Sequence, residues 1–461
     1  MFLPGAQLMP ASYLDQLTDF ACDARLDDIE PAALQHLRVI IADTLAACGA
    51  GNQEPEMRSM LAKQLQLCAP GLARVVGTGK GLNPIDAAAL NAAAGCWLEL
   101  DEGNLTSNGH PGIQVLPAAL AVAQELGKSG AEFLLACAIG YEICARIGSA
   151  CDMRMCIHPH GTYGVVGAAV AAGRLHGLDK PMMRELINLA GSSPIAGNRQ
   201  SMKDGATLRN WYASHSAIMG QTAVRLVQSG FTGPNDGITP TCDEVLFDNF
   251  RPQDVVQGIG RTWLLADGYI KLYGCGRPIH AAIDALRQAM ASAGPVAQWP
   301  LEHEIERIDV QGFKFLAFLN RKDIRNAFAT RFSTPFALAS VIVNRSHGLE
   351  CFDDTAAANP AIHALVQKIN LTEREDYSRQ FPGKQLCDVV ITLKSGRLLR
   401  GHCEVIRGEP ANPADPSEYL DKFTGVAARI WDGQQSAAIH EQAMHVEALG
   451  NMQELGGPSG L

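Results

Sequence analysis

The stretch ELDEGNLTSNGHPGIQVLPAALA, Glu99–Ala121, carries the reading of this chain. Glu99, Asp101 and Glu102 form an acidic cluster that runs into Gly103-Asn104. His110-Pro111-Gly112 follows, and an Ala/Leu/Val run then predicts a buried helix. Carboxylates and an imidazole thus stand on a loop between two core segments, where a rigid scaffold holds proton-transfer groups in many proteins. Further out, Cys156-Ile-His-Pro-His-Gly161 repeats the arrangement and leads into a second small-residue helix from Gly164 to Ala172. Two His-Pro loops, each feeding such a helix, point to one site assembled from both. The competing structural reading of an Asp or His before a helix is an N-cap or a turn residue.

The 461 residues exceed what one hydrophobic core usually serves, so two domains are expected. Hydrophobic residues make up 47% and charged residues 19%, which predicts a large, Ala-rich interior, with only the tail after Gly450 reading as disordered. The net charge of −10 and the lack of any basic run argue against nucleic-acid and anionic-membrane partners. An anionic ligand would therefore need a local cluster of Arg and Lys. The thirteen cysteines include no Cys-x-x-Cys pair, and no metal-ligand spacing is present. With no signal-peptide pattern and no uninterrupted apolar run of transmembrane length, the expectation is a soluble cytoplasmic protein with buried thiols.

From Tyr13 to about Ser229 the apolar spacing is helical almost throughout, as in Leu34, Leu37, Ile41 and Leu45. After about Asp267 the texture changes. Arg277 to Ala291 predicts an amphipathic helix, Ile305 to Val310 a strand, Phe336 to Val343 a helix, and Val389–Leu393 with Leu398–Val405 a β-hairpin. Helical spacing returns from Ser417. The expected fold is mainly α: a large helical domain from both chain ends (1–267 and 409–461) with a smaller α+β lid inserted at 268–408. Gly268 and Gly408 are the expected hinges. Gly77-Thr-Gly-Lys-Gly81 lacks the spacing and setting of a phosphate loop and is read as a turn.

The run Asp101-Glu…His110-Pro-Gly…Leu116-Pro-Ala-Ala-Leu-Ala121, Gly140-Tyr-Glu142, His158-Pro-His-Gly…Gly164-x-x-Gly-Ala-Ala-x-Ala-Ala172 and Gly230-Phe-Thr-Gly-Pro234 together resemble the MmgE/PrpD family. That family contains 2-methylcitrate dehydratases, cis-aconitate decarboxylases and iminodisuccinate epimerases. The resemblance implies a homodimer without metal or organic cofactor, acting on a small polycarboxylate. It places the family's acidic loop on Glu99, Asp101 and Glu102, its loop histidines on His110 and His158, and its lid lysine on Lys271. It also exposes departures. The family's first Asp falls on Glu99, its usual Lys falls on Arg209 with Tyr212 in place of a nearby His, and the His of decarboxylase members falls on Gly276.

Such chemistry needs cations to neutralise carboxylates and a base and acid at the reacting carbon. Asp101, His110, His158 and Lys271 are the expected catalytic residues. Glu99, Asn104, Arg209, Tyr212, Tyr273 and Arg277 are the expected substrate contacts, with Arg209 clamping a carboxylate because its fixed charge cannot donate a proton. Closure of the lid is expected to bring Lys271 to the substrate; the blander readings are a solvated Glu99, an orienting Asp101, a Lys271 on the lid surface, and packing roles for His160 and His280. A dehydratase-type lyase is the primary expectation. An epimerase or decarboxylase of a related acid, or a non-catalytic polycarboxylate binder, is the alternative.

Overall fold

Small side chains decide how the helices meet. Helices Gly130–Ser149 and Gly164–Leu175 cross so closely that a Cβ on Gly167 would lie 2.5 Å from the Gly140 carbonyl oxygen, and one on Gly140 would lie 2.6 Å from that of Gly167. Only glycine on both sides permits this approach. The computed structural model describes residues 12–457 and Leu461. Helices Pro84–Trp97, Pro111–Glu125 and Leu208–Gln228 complete the bundle around Gly164–Leu175, and Pro416–Ala427 and Gly433–Met444 return to pack on Pro31–Gly51. One buried apolar cluster draws on this whole set, from Tyr13 to Ile270 and again from Phe423 to Leu461.

A second cluster takes Tyr273 to Ile406, plus Met202 from the first half of the chain. Its frame is a four-stranded sheet in the order Leu398–Cys403, Cys387–Leu393, Ile305–Gly312, Ile369–Glu373. The first three strands are antiparallel. The last runs parallel to Ile305–Gly312, because the chain crosses over through helix Thr334–Asn344 before returning. The amphipathic helix Arg277–Ala291 covers the hairpin. Gly396, at φ +84, makes the hairpin turn, and the second strand ends at Cys403, two residues before the expected Val405. The segment 76–79 is a turn between strands Ala73–Val75 and Lys80–Leu82.

The fold is mainly α, as the sequence predicts. The tail differs. Asn451–Gly457 is structured, with Met452 and Leu455 buried and Gln453 donating to Gln124 O at 2.8 Å; residues 458–460 lie outside the described set. Among the described residues no helix is long and apolar enough to cross a membrane.

The glycine contact makes a measurable claim. Gly167→Ala should destabilise the protein by about 1–3 kcal/mol, since backbone and not a flexible side chain stands in the methyl's way. Gly425→Ala, in an open helical position with nothing within 4 Å of the added Cβ, should instead gain up to about 1 kcal/mol. Denaturant unfolding of both variants checks the contrast; equal effects would contradict the close crossing.

Candidate functional site

The acidic loop leaves helix Pro84–Trp97 with Glu99 in the left-handed region, at φ +52, an uncommon place for a residue with a side chain. Its carboxylate is held from two sides. Arg209, on helix Leu208–Gln228, pairs with Oε1, and Lys271 Nζ lies 3.2 Å from Oε2. Lys271 also reaches Asp101 Oδ1 at 3.0 Å. The lysine is brought here by a short antiparallel rung, Gly103–Asn104 against Gly268–Tyr269. All four side chains are at most 2% exposed. Burial pushes the Asp101 carboxyl up, but Lys271, His110 and Arg209 more than offset it and hold it well below the usual range. Burial likewise works against the Lys271 ammonium, and Asp101 and Glu99 outweigh it, so the lysine stays charged.

Three imidazoles stand against this cluster. The His160 ring centroid lies 4.9 Å from that of His110 and 4.5 Å from that of His158. Asp101 Oδ2 sits 3.2 Å from His110 Nδ1 and 3.4 Å from His160 Nε2, without hydrogen-bond alignment to either. His110 precedes helix Pro111–Glu125, and its Nδ1–H donates to Glu102 O at 2.6 Å, which leaves the lone pair of the neutral ring on Nε2. Glu102 Oε1 accepts from Gly112 N at 2.7 Å, and burial pushes this carboxyl up to about 8. Burial drives His110 and His158 well below the usual imidazole value and His160 down to about 4. Arg209 Nε–H and His160 N–H both approach His158, on Nε2 and Nδ1, each at 3.2 Å.

Gln114 ties the two histidine loops together. Its Nε2 donates to His110 O at 3.1 Å, while its Oε1 accepts from Gly161 N and Ser216 Oγ, both at 3.0 Å. Spaced four residues after His110 on the helix face, Gln114 was within reach of periodicity reasoning but carries no chemical signature. His160 belongs to the cluster as well, although its motif alone read equally as packing.

A cleft of about 400 Å³ opens onto Glu99, His110, His158, Arg209, Lys271 and Arg277. Several expected roles are relocated. Arg209 was expected to be free for a substrate carboxylate; Glu99 and His158 already occupy its guanidinium. Lys271 was expected to arrive by lid closure; it is already buried between two carboxylates. Glu99 is not solvated. Asn104 lines the cleft but spends its amide on Leu264 O (2.7 Å) and Ser107 N (2.9 Å), holding the loop. Tyr212 packs its ring 5.8 Å from that of His158 and supports it from behind. Tyr273 is not at this cleft: its hydroxyl donates to Asp284 at 2.5 Å and accepts from Arg287 at 2.8 Å, and the ring borders a separate cavity. Arg277 bonds Glu409 through Nη2 at 2.5 Å and stacks over Tyr269, leaving Nε and Nη1 without hydrogen bonds.

Ligand atoms of Cys96, Asp101 and His160 lie within 4.8 Å of one another. This set fits a metal ion poorly, because Lys271 already neutralises Asp101 and burial pushes the Cys96 thiol well above its usual value.

The burial of Lys271 predicts a stability effect that an exposed lid lysine would not have. Lys271→Ala leaves the buried Asp101 carboxylate without its cation and Glu99 with Arg209 alone, and should lose about 3–5 kcal/mol. An unchanged urea midpoint would place the lysine outside the cluster.

Comparison with known proteins agrees with this architecture. The chain is 23% identical to a cis-aconitate decarboxylase of Aspergillus terreus over 471 residues, covering 95% of this chain and 94% of that protein. It is 25% identical to the cis-aconitate decarboxylase of Mus musculus over 367 residues, covering 76% and 73%. The model of the MmgE/PrpD N-terminal domain matches residues 15–243, through the helical bundle and both histidine loops. That of the MmgE/PrpD C-terminal domain matches 273–447, through the sheet and the returning helices, so the chain belongs to the MmgE/PrpD family.

Proposed function

We propose that this protein is a cofactor-independent lyase of the dehydratase type, acting on a small di- or tricarboxylic acid such as a 2-methylcitrate-like substrate. The observation that carries the reading is His110: a neutral imidazole with Nδ1–H committed to a backbone carbonyl and Nε2 unbonded among the described residues, at a cleft that also holds Lys271 and Arg277. Nε2 takes the proton from the carbon beside a substrate carboxylate. The imidazolium so formed has Asp101 Oδ2 at 3.2 Å to stabilise it. The departing hydroxyl then leaves as water with that same proton. The neighbouring groups are less suited to supply it: Arg209 keeps its charge, Lys271 is held above its ordinary value, His158 is neutral, and Glu102, whose carboxyl burial pushes up to about 8, is not among the residues lining the cleft. Arg277, whose Nε and Nη1 make no hydrogen bond among the described residues, neutralises the carboxylate next to the reacting carbon.

Residues 268–408 are read as the domain that walls the far side of the cleft, with 409–461 returning to the helical part, and two copies forming a homodimer. Because Lys271 is already locked, delivery of this lysine by closure is no part of the reading.

Decarboxylation is the second reading, favoured by the names of the curated relatives. Loss of carbon dioxide leaves a carbanion that needs a proton donor at the start of the reaction. A His110 held neutral by burial does not offer one near neutral pH, and Gly276 puts no side chain into the cleft where decarboxylase members are expected to carry a histidine.

The test is deuterium incorporation from heavy water, with product analysis, over a panel of saturated and unsaturated polycarboxylates. His110→Gln should lower exchange and turnover together by about 10²–10⁴-fold while the protein stays folded. As the base is active when neutral and its pKa is lowered, the acid limb of kcat/KM should fall below about pH 6.5. Release of carbon dioxide as the main reaction, or full exchange in the variant, would overturn the dehydratase assignment.

A further inference from the structure

The cleft has one cation without a carboxylate partner among the described residues. Among its lining residues, Lys271 is paired with Glu99 and Asp101, Arg209 with Glu99, and Arg277 with Glu409. Its remaining acids, Asp152 and Asp248, are taken by Arg251 (2.8 Å) and Arg154 (2.9 Å). Arg199 alone, among the described residues of the cleft, has no carboxylate within ion-pair distance. Its Nη1 lies 3.5 Å from Met155 O and 3.6 Å from Met155 Sδ, its Nη2 lies 3.5 Å from Met153 Sδ, and its guanidinium stands 5.2 Å over the Phe315 ring. Thioether sulfur is a weak acceptor. A half-buried guanidinium with strong donors facing sulfur and an aromatic face has lost water without gaining an anion, and burial lowers its pKa accordingly.

The position of Arg199 is set by backbone, not by chance of rotamer. Ile157 and Asn198 form an isolated antiparallel bridge, His158 N donates to Gly197 O at 2.7 Å, and Arg199 N donates to Cys156 O at 2.9 Å. Arg199 therefore sits one residue from the rung that holds His158, on the same wall of the cleft.

We propose that Arg199 is a specificity-determining residue that binds a substrate carboxylate remote from the reacting carbon, while Met153, Met155 and Phe315 pack the methylene groups beside it. A guanidinium matches a carboxylate bidentately, and the thioethers adapt their shape to the flanking carbons. The proposal deepens the polycarboxylate reading above and rests on it. The ligand it requires has at least two carboxylates, one met by His110 and Arg277 and one by Arg199, all of which line the cleft, so monocarboxylates are poor ligands.

Binding, measured apart from turnover, tests this. Calorimetric titrations use two unreactive probes, tricarballylate and methylsuccinate, the second lacking one terminal carboxylate. Arg199→Met should weaken tricarballylate by about 10- to 100-fold and methylsuccinate by no more than about twofold, with Arg199→Lys in between. Melting temperatures of both variants establish folding, and Arg199→Lys carries the test if Arg199→Met does not fold. With a turned-over acid, the same change should raise KM far more than it lowers kcat. Equal affinity of Arg199→Met and unmutated protein for tricarballylate, equal losses for both probes, or no binding of tricarballylate by the unmutated protein would each overturn the assignment. Failure of the exchange assay with every acid would sink the lyase reading and leave this binding contrast to stand or fall by itself.

Discussion

Four charges, each at most 2% exposed, are the constraint around which the site is arranged. Glu99 and Asp101 leave the helical bundle on one loop, Arg209 comes from a helix more than a hundred residues later, and Lys271 from the crossing into the second apolar cluster. Each ion taken alone out of water costs several kcal/mol, so none is tolerable unless the other three are in place. The arrangement balances formally to zero. It pins the left-handed Glu99, fixes the loop that presents the Glu102 carbonyl to His110, and so determines which nitrogen of that histidine is bare. Secondary structure supplies the scaffold, but electrostatic balance selects one arrangement of the loop on it.

That balance also explains how an acidic protein offers an anion a place to bind. With a net charge of −10, the molecule repels polycarboxylates at long range, screened beyond about 8 Å at physiological salt. Attraction must come from contact. Lys271 and Arg209 are already neutralised by Glu99 and Asp101, so the available positive character is concentrated on Arg277, with Nε and Nη1 unbonded among the described residues, and on Arg199. Two separated donors favour a ligand with two separated carboxylates. His110 and His158, the two neutral imidazoles lining the same cleft, add hydrogen-bonding capacity without adding charge.

Much of this was legible in the chain. Helix Arg277–Ala291 and the hairpin around Lys394–Arg397 followed from periodicity and turn residues alone, because amphipathic spacing and a Gly at positive φ are local properties. The two His-Pro loops were legible as a pair, and they converge. What was not legible depends on long-range pairing. Nothing near Arg209 in sequence indicates that Glu99 consumes it, and nothing near Tyr273 indicates that Asp284 and Arg287 claim its hydroxyl. The tail after Gly450 is polar enough to read as disordered, yet Met452 and Leu455 bury themselves in the first core. Arg199 was the least visible of all, since its significance is the lack of a carboxylate partner among the described residues, which only the full set of cleft charges reveals.

The two departures from the family pattern at the acidic loop and at the following helix become one when their side chains are placed. The resemblance puts Glu99 where relatives carry Asp and Arg209 where they carry Lys, and here these two residues pair with each other. An Asp–Lys pair can pass a proton, because the ammonium pKa falls readily when its surroundings change. A Glu–Arg pair cannot, as the guanidinium keeps its charge across the accessible pH range. The Glu99–Arg209 pair therefore balances charge without offering a proton donor. In the proposed reaction the proton passes through His110, whose Nδ1–H is fixed by the Glu102 carbonyl and whose Nε2 makes no hydrogen bond among the described residues. Arg209 is then best understood as the counter-ion that keeps Glu99 folded inward, and His158, approached by donors on both nitrogens, as a neutral ring that shapes the cleft beside it.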